Sequence, residues 1–364
     1  MTPLRVGIVG CGNISGIYFK NLSAYRGTEV VACADLDLDR AKSVGAEQGV
    51  FGMATEELLA RDDVDLILNL TVPKAHAGVA LKAIAAGKHV YNEKPLAISR
   101  EDGKKLLDEA KAKGLLVGAA PDTFLGGGLQ TCRELIDKGV IGEPIAGHAF
   151  MLCHGHESWH PSPEFYYERG GGPMFDMGPY YLTALISLMG PIRRVAGSTR
   201  VTFPQRTITS EPKKGKVIEV ETPTHIAGIM DFASGAIVEI TTSFDVWHAK
   251  LPCISIYGTE GSMLVPDPNG FGGEIYVRGK GDKEWELRPL THGFAENSRG
   301  LGVLDMAYAL AEKRPHRASG ALAYHVLDTM HAFEESSRAG RHVELASRVD
   351  QPTPLDADEF AAEI

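Results

Sequence analysis

The chain is short of cysteine, of net positive charge and of long apolar runs, and each shortage removes a class of protein. Its five cysteines (Cys11, Cys33, Cys132, Cys153 and Cys253) are odd in number, scattered and never spaced C-x-x-C. That is the pattern of free thiols in a reducing compartment, not of a disulfide framework. Lys and Arg number 37 against 47 Asp and Glu, a net charge of −10. Nucleic-acid backbones and anionic membranes are met by clustered cations, so neither is expected as a partner. No stretch reaches the ~18 consecutive apolar residues of a membrane span. Met1–Arg5 runs straight into a strand and leaves no room for a signal peptide, so a cytoplasmic location is expected. There is no internal repeat and no low-complexity tract.

What is present is apolar patterning. Hydrophobic residues make up 44% of the 364, enough for a core in each of the two domains expected at roughly 100–200 residues per domain. Val6–Val9, Val30–Ala34, Leu66–Leu70, Val90-Tyr91 and Leu115–Val117 are short apolar runs with helical spacing between them. Runs of this kind are strands buried on both faces, and their alternation with helices predicts a doubly wound parallel sheet over residues 1–122. Ser99 with Asp102 resembles a capping box at the start of one of those helices, and Gly114 is its expected stop. Beyond residue 122 the style changes. Ile226–Phe232, Ala236–Phe244, Ile254–Tyr257 and Ile275–Arg278 are richer in β-branched residues and separated by Gly-containing turns. They predict a mostly antiparallel sheet with flanking helices over residues 123–364, closed by a helix over about Ala321–Arg338. The fold class is therefore α/β followed by α+β.

Gly10-Cys11-Gly12-Asn13-Ile14-Ser15 lies between the first strand and the first helix, where a dinucleotide fingerprint belongs. Gly10 permits the tight turn, Gly12 lets backbone approach a pyrophosphate, and the helix start offers N–H groups to that anion. The third small position is Ser15 rather than Gly or Ala. Asp35 ends the second strand, at the spacing of the acid that bonds the adenosine ribose. Its charge favours NAD over NADP, Asp37 adds to that bias, and Arg40 softens it. Thr71 and Pro73 follow the next strand and are expected cofactor contacts. His76 is either a further contact or a helix-start histidine with a structural bond.

Glu93-Lys94-Pro95 ends another strand on the same edge. Proline fixes its own backbone and restricts the residue before it, which aims Lys94 reproducibly. Glu93 then either binds the nicotinamide ribose or orients Lys94. The run from Gly170 to Tyr181, with three glycines before Asp176, suggests backbone packed against a ligand. His154-Gly155-His156-Glu157-Ser158-Trp159-His160 is the other polar cluster. Trp159 could stack on a sugar face and the histidines bond its hydroxyls, and Asp122 is a further substrate candidate. A metal is not expected at the histidines, because their spacing matches no standard zinc pattern. Phe165-Tyr166-Tyr167 is either pocket wall or core.

The glycine turn, Glu93-Lys94-Pro95 and the Gly-Gly-Gly…Asp-x-Gly-x-Tyr run together resemble the glucose–fructose oxidoreductase / inositol dehydrogenase / rhizopine-catabolism (Gfo/Idh/MocA) family over nearly the whole chain. The resemblance implies an N-terminal Rossmann domain binding NAD(P) and an open-faced C-terminal sheet that packs into homodimers or homotetramers. It implies oxidation of a ring hydroxyl of a sugar, glycoside or cyclitol. Many members carry a histidine where this chain has Tyr180 and an acid where it has Thr183, so the chain is similar to the family's tyrosine branch. Many also carry Asn-x-Arg-Phe where this chain reads Pro121-Asp122-Thr123-Phe124. By this resemblance Lys94, Tyr180 and Asp176 are the catalytic set. Lys94 would hold the substrate oxygen and favour the Tyr180 phenolate, with Tyr181 as the competing tyrosine. Two alternatives stay open: a redox-neutral enzyme with tightly held cofactor, and a non-catalytic dinucleotide-binding sensor.

Overall fold

A computed structural model describes residues 1–363, and these divide into two compact units. The first begins with the expected alternation: β1 (Leu4–Val9), α1 (Ser15–Ala24), β2 (Thr28–Ala34), α2 (Leu38–Gln48), β3 (Phe51–Met53), α3 (Thr55–Leu59), β4 (Leu66–Asn69), α4 (Pro73–Ala85), β5 (His89–Asn92), α5 (Arg100–Ala112) and β6 (Val117–Ala119). The strands form a parallel sheet in the order β3-β2-β1-β4-β5-β6. Val6, Ile8, Leu66, Ile67, Leu68 and Val90 are fully buried, as strands covered on both faces require. Local signals place the helix ends. Asp37 caps α2 by accepting from the Arg40 N–H at 3.1 Å, and Gly49 ends that helix at φ +71°. Ser99 caps α5 through the Asp102 N–H (3.1 Å), but its hydroxyl donates to the Asp102 carboxylate (2.8 Å) instead of completing a reciprocal box.

The second unit opens with α6 (Gly127–Asp137), β7 (Pro144–Leu152), α7 (Gly172–Asp176), α8 (Gly178–Met189) and β8 (Ile192–Arg200). A two-stranded excursion follows, β9 (Gln205–Thr207) with β10 (Val217–Glu219). Then come β11 (His225–Phe232), β12 (Ile237–Ser243), β13 (Ile254–Gly258), β14 (Gly261–Val265), β15 (Ile275–Gly279) and β16 (Glu286–Arg288). The chain continues through α9 (Leu301–Glu312) and α10 (Gly320–Ala339) to β17 (Val343–Glu344). The large sheet runs β16-β15-β14-β13-β7-β12-β11-β8-β17. It is antiparallel at every described pairing but β7–β12, where Ala149 faces Ile240 in parallel register. The α/β plus α+β architecture is the one the sequence predicts.

The compact units do not follow one cut at residue 122. The first unit also contains Gly293–Tyr324 and the stretch from Leu355, and buried charges explain why. Asp122, expected to face substrate, is 1% exposed and accepts the N–H groups of Gly300 (2.9 Å) and Gly302 (3.0 Å) at the start of α9. Its carboxylate is an anion at a helix N-terminus, so it serves α9 and not a ligand. Arg317 pairs with Asp305 of α9 and with Glu359, each at 2.6 Å. Glu363 accepts the Gly27 N–H at 2.7 Å.

Burial pushes the Asp122 carboxyl up to about 6, against the pull of the two N–H groups. The ordinary value is ~3.9, so between roughly pH 4 and 6 the folded form holds more protons than the unfolded form. Asp122 therefore contributes most below that window, and its contribution falls as pH rises through it. In Asp122→Asn this dependence disappears. The stability difference between variant and wild type, from thermal melts at pH 4 and pH 7, should shift in the variant's favour by up to about 3 kcal/mol at the higher pH. Parallel stability–pH curves would contradict the assignment.

Candidate active site

The crevice of a doubly wound sheet opens where strand order reverses, here at the carboxyl ends of β1 and β4. Gly10 sits there with φ +104°, and a Cβ on it would lie 2.8 Å from the Leu70 carbonyl. No other residue fits that turn. A Cβ on Gly12 would meet nothing within 4 Å, so open space lies beside its backbone. Ser15 closes the turn: its hydroxyl donates to the Gly12 carbonyl at 2.7 Å. Asn13 is exposed, and Ile14, at the cap position of α1, offers no side-chain acceptor to the helix. Asp35 accepts the Cys11 N–H at 2.8 Å and the Asp37 N–H at 3.0 Å. A cavity of about 290 Å³ lies over this turn, lined by Gly10, Gly12, Asp35, Arg40, Thr71 and Val72 among others. Anion-accepting backbone, a carboxylate and a roomy apolar wall on one crevice fit a dinucleotide.

The neighbouring strand ends are held by two residues that the sequence reading passed over. Asn69 and Asn92 are fully buried and adjacent across β4 and β5. Asn69 donates to Asn92 Oδ1 (3.0 Å) and to the His76 carbonyl (3.0 Å), and accepts from the Thr71 hydroxyl (2.6 Å). Asn92 donates to the Leu96 carbonyl at 3.1 Å. Their signal was an amide ending each of two apolar strands. His76 is fully buried, with Nδ1 at 2.6 Å from the Pro95 carbonyl and Nε2 at 2.9 Å from the Thr71 carbonyl. Burial lowers its pKa against the pull of the two carbonyls, and with both ring nitrogens turned to these cofactor-edge loops neither is left for a ligand. Pro73 is the first residue of α4.

Lys94 is the half-buried member of an otherwise buried stretch from Tyr91 to Ala97, and its peptide bond to Pro95 is cis. Glu93 beside it is fixed at both oxygens. Tyr18 of α1 donates its hydroxyl to Oε1 (2.7 Å), and the Lys94 N–H donates to Oε2 (2.9 Å). Burial raises the Tyr18 pKa far above its ordinary value, so this phenol stays a donor.

In the second unit the structure joins two residues that lie twenty apart in sequence. His156 Nε2 is 3.3 Å from Asp176 Oδ2, with side chains 12% and 14% exposed. The His156 ring is walled by Tyr166 (4.3 Å between centroids), Phe244 (4.7 Å) and Trp159 (5.3 Å). Trp159 is 61% exposed. His160 packs edge-on to Trp159 and Tyr166. It accepts the Ser162 N–H at 3.0 Å, and burial lowers its pKa. His154 points elsewhere, stacked on Trp247. Tyr180 lies buried in the first turn of α8. Tyr181 donates to the Phe150 carbonyl of β7 at 3.2 Å and is 3% exposed. Among the described residues no group of three or more His, Cys, Asp or Glu could hold a metal ion. None of the described helices is long and apolar enough to cross a membrane.

Comparison with known proteins matches both parts of the chain to one group. Residues 4–120 match the oxidoreductase family with an NAD-binding Rossmann fold, and residues 129–264 match the GFO/IDH/MocA C-terminal domain. The chain is 28% identical over 267 residues to 1,5-anhydro-D-fructose reductase of Ensifer adhaerens, covering 71% of this chain and 75% of that one. It is 24% identical over 361 residues to D-glucoside 3-dehydrogenase of Escherichia coli, covering 94% and 98%. A crystal structure of an NAD-binding oxidoreductase from Klebsiella pneumoniae shares the fold with a TM-score of 0.83 at 21% identity, over 96% of this chain and all of that one.

The open space beside Gly12 yields a test. Gly12→Ala meets no protein atom, so its melting temperature should stay within about 2 °C of wild type. Binding of NADH, followed by fluorescence quenching, should weaken about tenfold or more, because the added methyl blocks close approach to the backbone. Unchanged NADH affinity would remove the pyrophosphate from this turn.

Proposed function

Because this chain belongs to the Gfo/Idh/MocA oxidoreductase family, we propose that it catalyses the NAD-dependent, reversible oxidation of a ring hydroxyl on a sugar, glycoside or cyclitol. The observation that carries the reading is the His156–Asp176 pair, a base held by a carboxylate in a half-buried aromatic pocket. Facing a carboxylate, Nε2 carries the ring proton, which leaves Nδ1 as the basic nitrogen to accept the proton of an alcohol. Bound nicotinamide supplies the hydride acceptor. Lys94 supplies a cation at the cofactor edge to hold the alcohol oxygen, a role of orientation and charge. The exposed face of Trp159 suits the C–H face of a pyranose or cyclitol ring. Two relatives named for a glucoside and an anhydrofructose support the sugar class.

NAD is preferred over NADP on electrostatic grounds. Arg40, the cation nearest Asp35, stands 3.7 Å from Asp35 and 3.6 Å from Asp37. Its charge is shared between two carboxylates, and a 2′-phosphate would meet a net negative edge.

A second reading keeps the reaction and moves the proton to Tyr180. It is favoured by that residue's place four positions after Asp176, in the first turn of α8. Two variants separate the readings. If His156 is the carrier, His156→Asn should lower kcat by about 10²–10⁴-fold with NADH affinity intact, while Tyr180→Phe stays within a few fold. The reverse pattern would assign Tyr180. The assay is the rise in NADH absorbance over a panel of methyl pyranosides, anhydro-sugars and inositols. No signal from NAD-bound protein across that panel would overturn the proposed reaction.

A further inference from the structure

The two-stranded excursion of β9 and β10 carries one arginine, Arg206, whose side chain is only 4% exposed. A buried guanidinium is costly unless its charge and its donors are met. Here Nη1 donates to Glu157 Oε1 at 2.8 Å. Nη2 donates to the Phe244 carbonyl at 2.9 Å and to the Asp245 carboxylate. The other oxygen of Asp245 accepts the Thr224 hydroxyl at 2.8 Å. The plane of Arg206 lies 5.0 Å from the ring centre of Phe203 and 5.5 Å from that of Tyr167. None of these atoms belongs to the His156–Asp176 pair, yet they converge on the residues around it.

Glu157 directly follows His156. Its Oε2 accepts the hydroxyl of Tyr167, and that same phenol oxygen accepts the backbone N–H of His156 at 3.3 Å. Burial pushes the Glu157 carboxyl up, but the bonds from Tyr167 and Arg206 more than reverse this and keep it ionised. The Glu157 carbonyl takes the N–H groups of Thr209 (2.8 Å) and Ser210 (3.1 Å), from the loop between β9 and β10. The Ser210 hydroxyl donates to the His160 carbonyl at 2.6 Å. Lys213 and Lys216 of that loop pair with Glu164 at 2.6 and 2.9 Å. Gly155, at φ +79°, has no room for a side chain, since a Cβ would lie 2.2 Å from the Tyr167 hydroxyl. The backbone after His156 is thus fastened to the excursion, and the backbone before it is packed on Tyr167. The same guanidinium grips the Phe244 carbonyl, and Phe244 forms one wall of the imidazole pocket.

We propose that Arg206 is a positioning residue: through Glu157, Tyr167 and Phe244 it sets the His156 imidazole against Asp176, and the excursion of β9 and β10 exists to hold that histidine loop. The proposal rests on the reading of His156 as proton carrier. Lysine could not replace the arginine, because one ammonium cannot fork to two carboxylates and a carbonyl in these directions.

The test is read on the imidazole itself, in nitrogen-edited side-chain NMR spectra of the full-length protein, so it needs no substrate. In wild type, His156 should show a single tautomer with the proton on Nε2. Arg206→Met and Tyr167→Phe should both shift it toward a mixture of tautomers, with the buried His76 and His325 resonances unmoved. Tyr167→Phe removes one hydroxyl and leaves the ring, so it decides the matter if Arg206→Met does not fold. On whichever sugar the absorbance screen identifies, kcat of Tyr167→Phe should fall about tenfold, with KM and NADH affinity within twofold. Unchanged His156 resonances in Tyr167→Phe would overturn the positioning role. Full activity of His156→Asn would overturn the proton-carrier reading, whatever the NMR shows.

Discussion

Two buried amides hold the edge on which the first unit's chemistry depends. Asn69 and Asn92 stand side by side at the ends of adjacent parallel strands, and their side chains bond to each other and to both of the loops that follow. A parallel sheet ends in unpaired backbone groups at its carboxyl edge, and something must satisfy them in a region that must also stay open for a ligand. Amides do this without charge. They fix Thr71 beside the dinucleotide crevice and Leu96 beyond Lys94, and His76 ties the same two loops from the other side. The result is a lysine whose immediate chain neighbours are all buried.

The second unit meets a similar need with charge. An arginine among two carboxylates, a phenol and a carbonyl gives little net stability, because the desolvation of each ion offsets their attraction. It gives direction instead: every partner must sit where the planar fork points. A loop of histidines, glycine and serine has weak conformational preferences of its own, and such a network supplies the missing constraint. In both units, then, segments between regular elements are clamped by buried polar groups.

The parallel half of the fold was readable in sequence, because strands buried on both faces are uninterrupted apolar runs and the glycine turn marks the first of them. Several later strands could be read within a residue or two, since their β-branched residues lie between Gly turns. β7 was not. Pro144, Gly147 and His148 dilute its pattern, and its place at the middle of the sheet comes from pairing with β12 some ninety residues later. The glycine fingerprint with its spacing singled out Gly10 and Asp35, and a strand end singled out Lys94; these three lie just beyond the carboxyl ends of β1, β2 and β5. Asp122 was singled out as a substrate candidate, yet its partners lie 178 and 180 residues downstream, at the start of α9. No local signal distinguishes a carboxylate aimed at a ligand from one aimed at a distant helix. Asp176 and His156 were each singled out, but their pairing depends on how the loop before α7 folds back, and Arg206 gave no hint of its role.

The return of late residues to the first unit has a consequence for synthesis. Residues 4–119, with every strand of the dinucleotide sheet, leave the ribosome first. Yet Asp122 waits for α9, Arg317 waits for Glu359, and the Gly27 N–H waits for Glu363. At roughly 5–20 residues per second the 178 residues between Asp122 and Gly300 take on the order of 10–40 s. In that time the whole of β7 to β16 is made. The unit whose strands are made early is thus completed only after the strands of the other unit have been made.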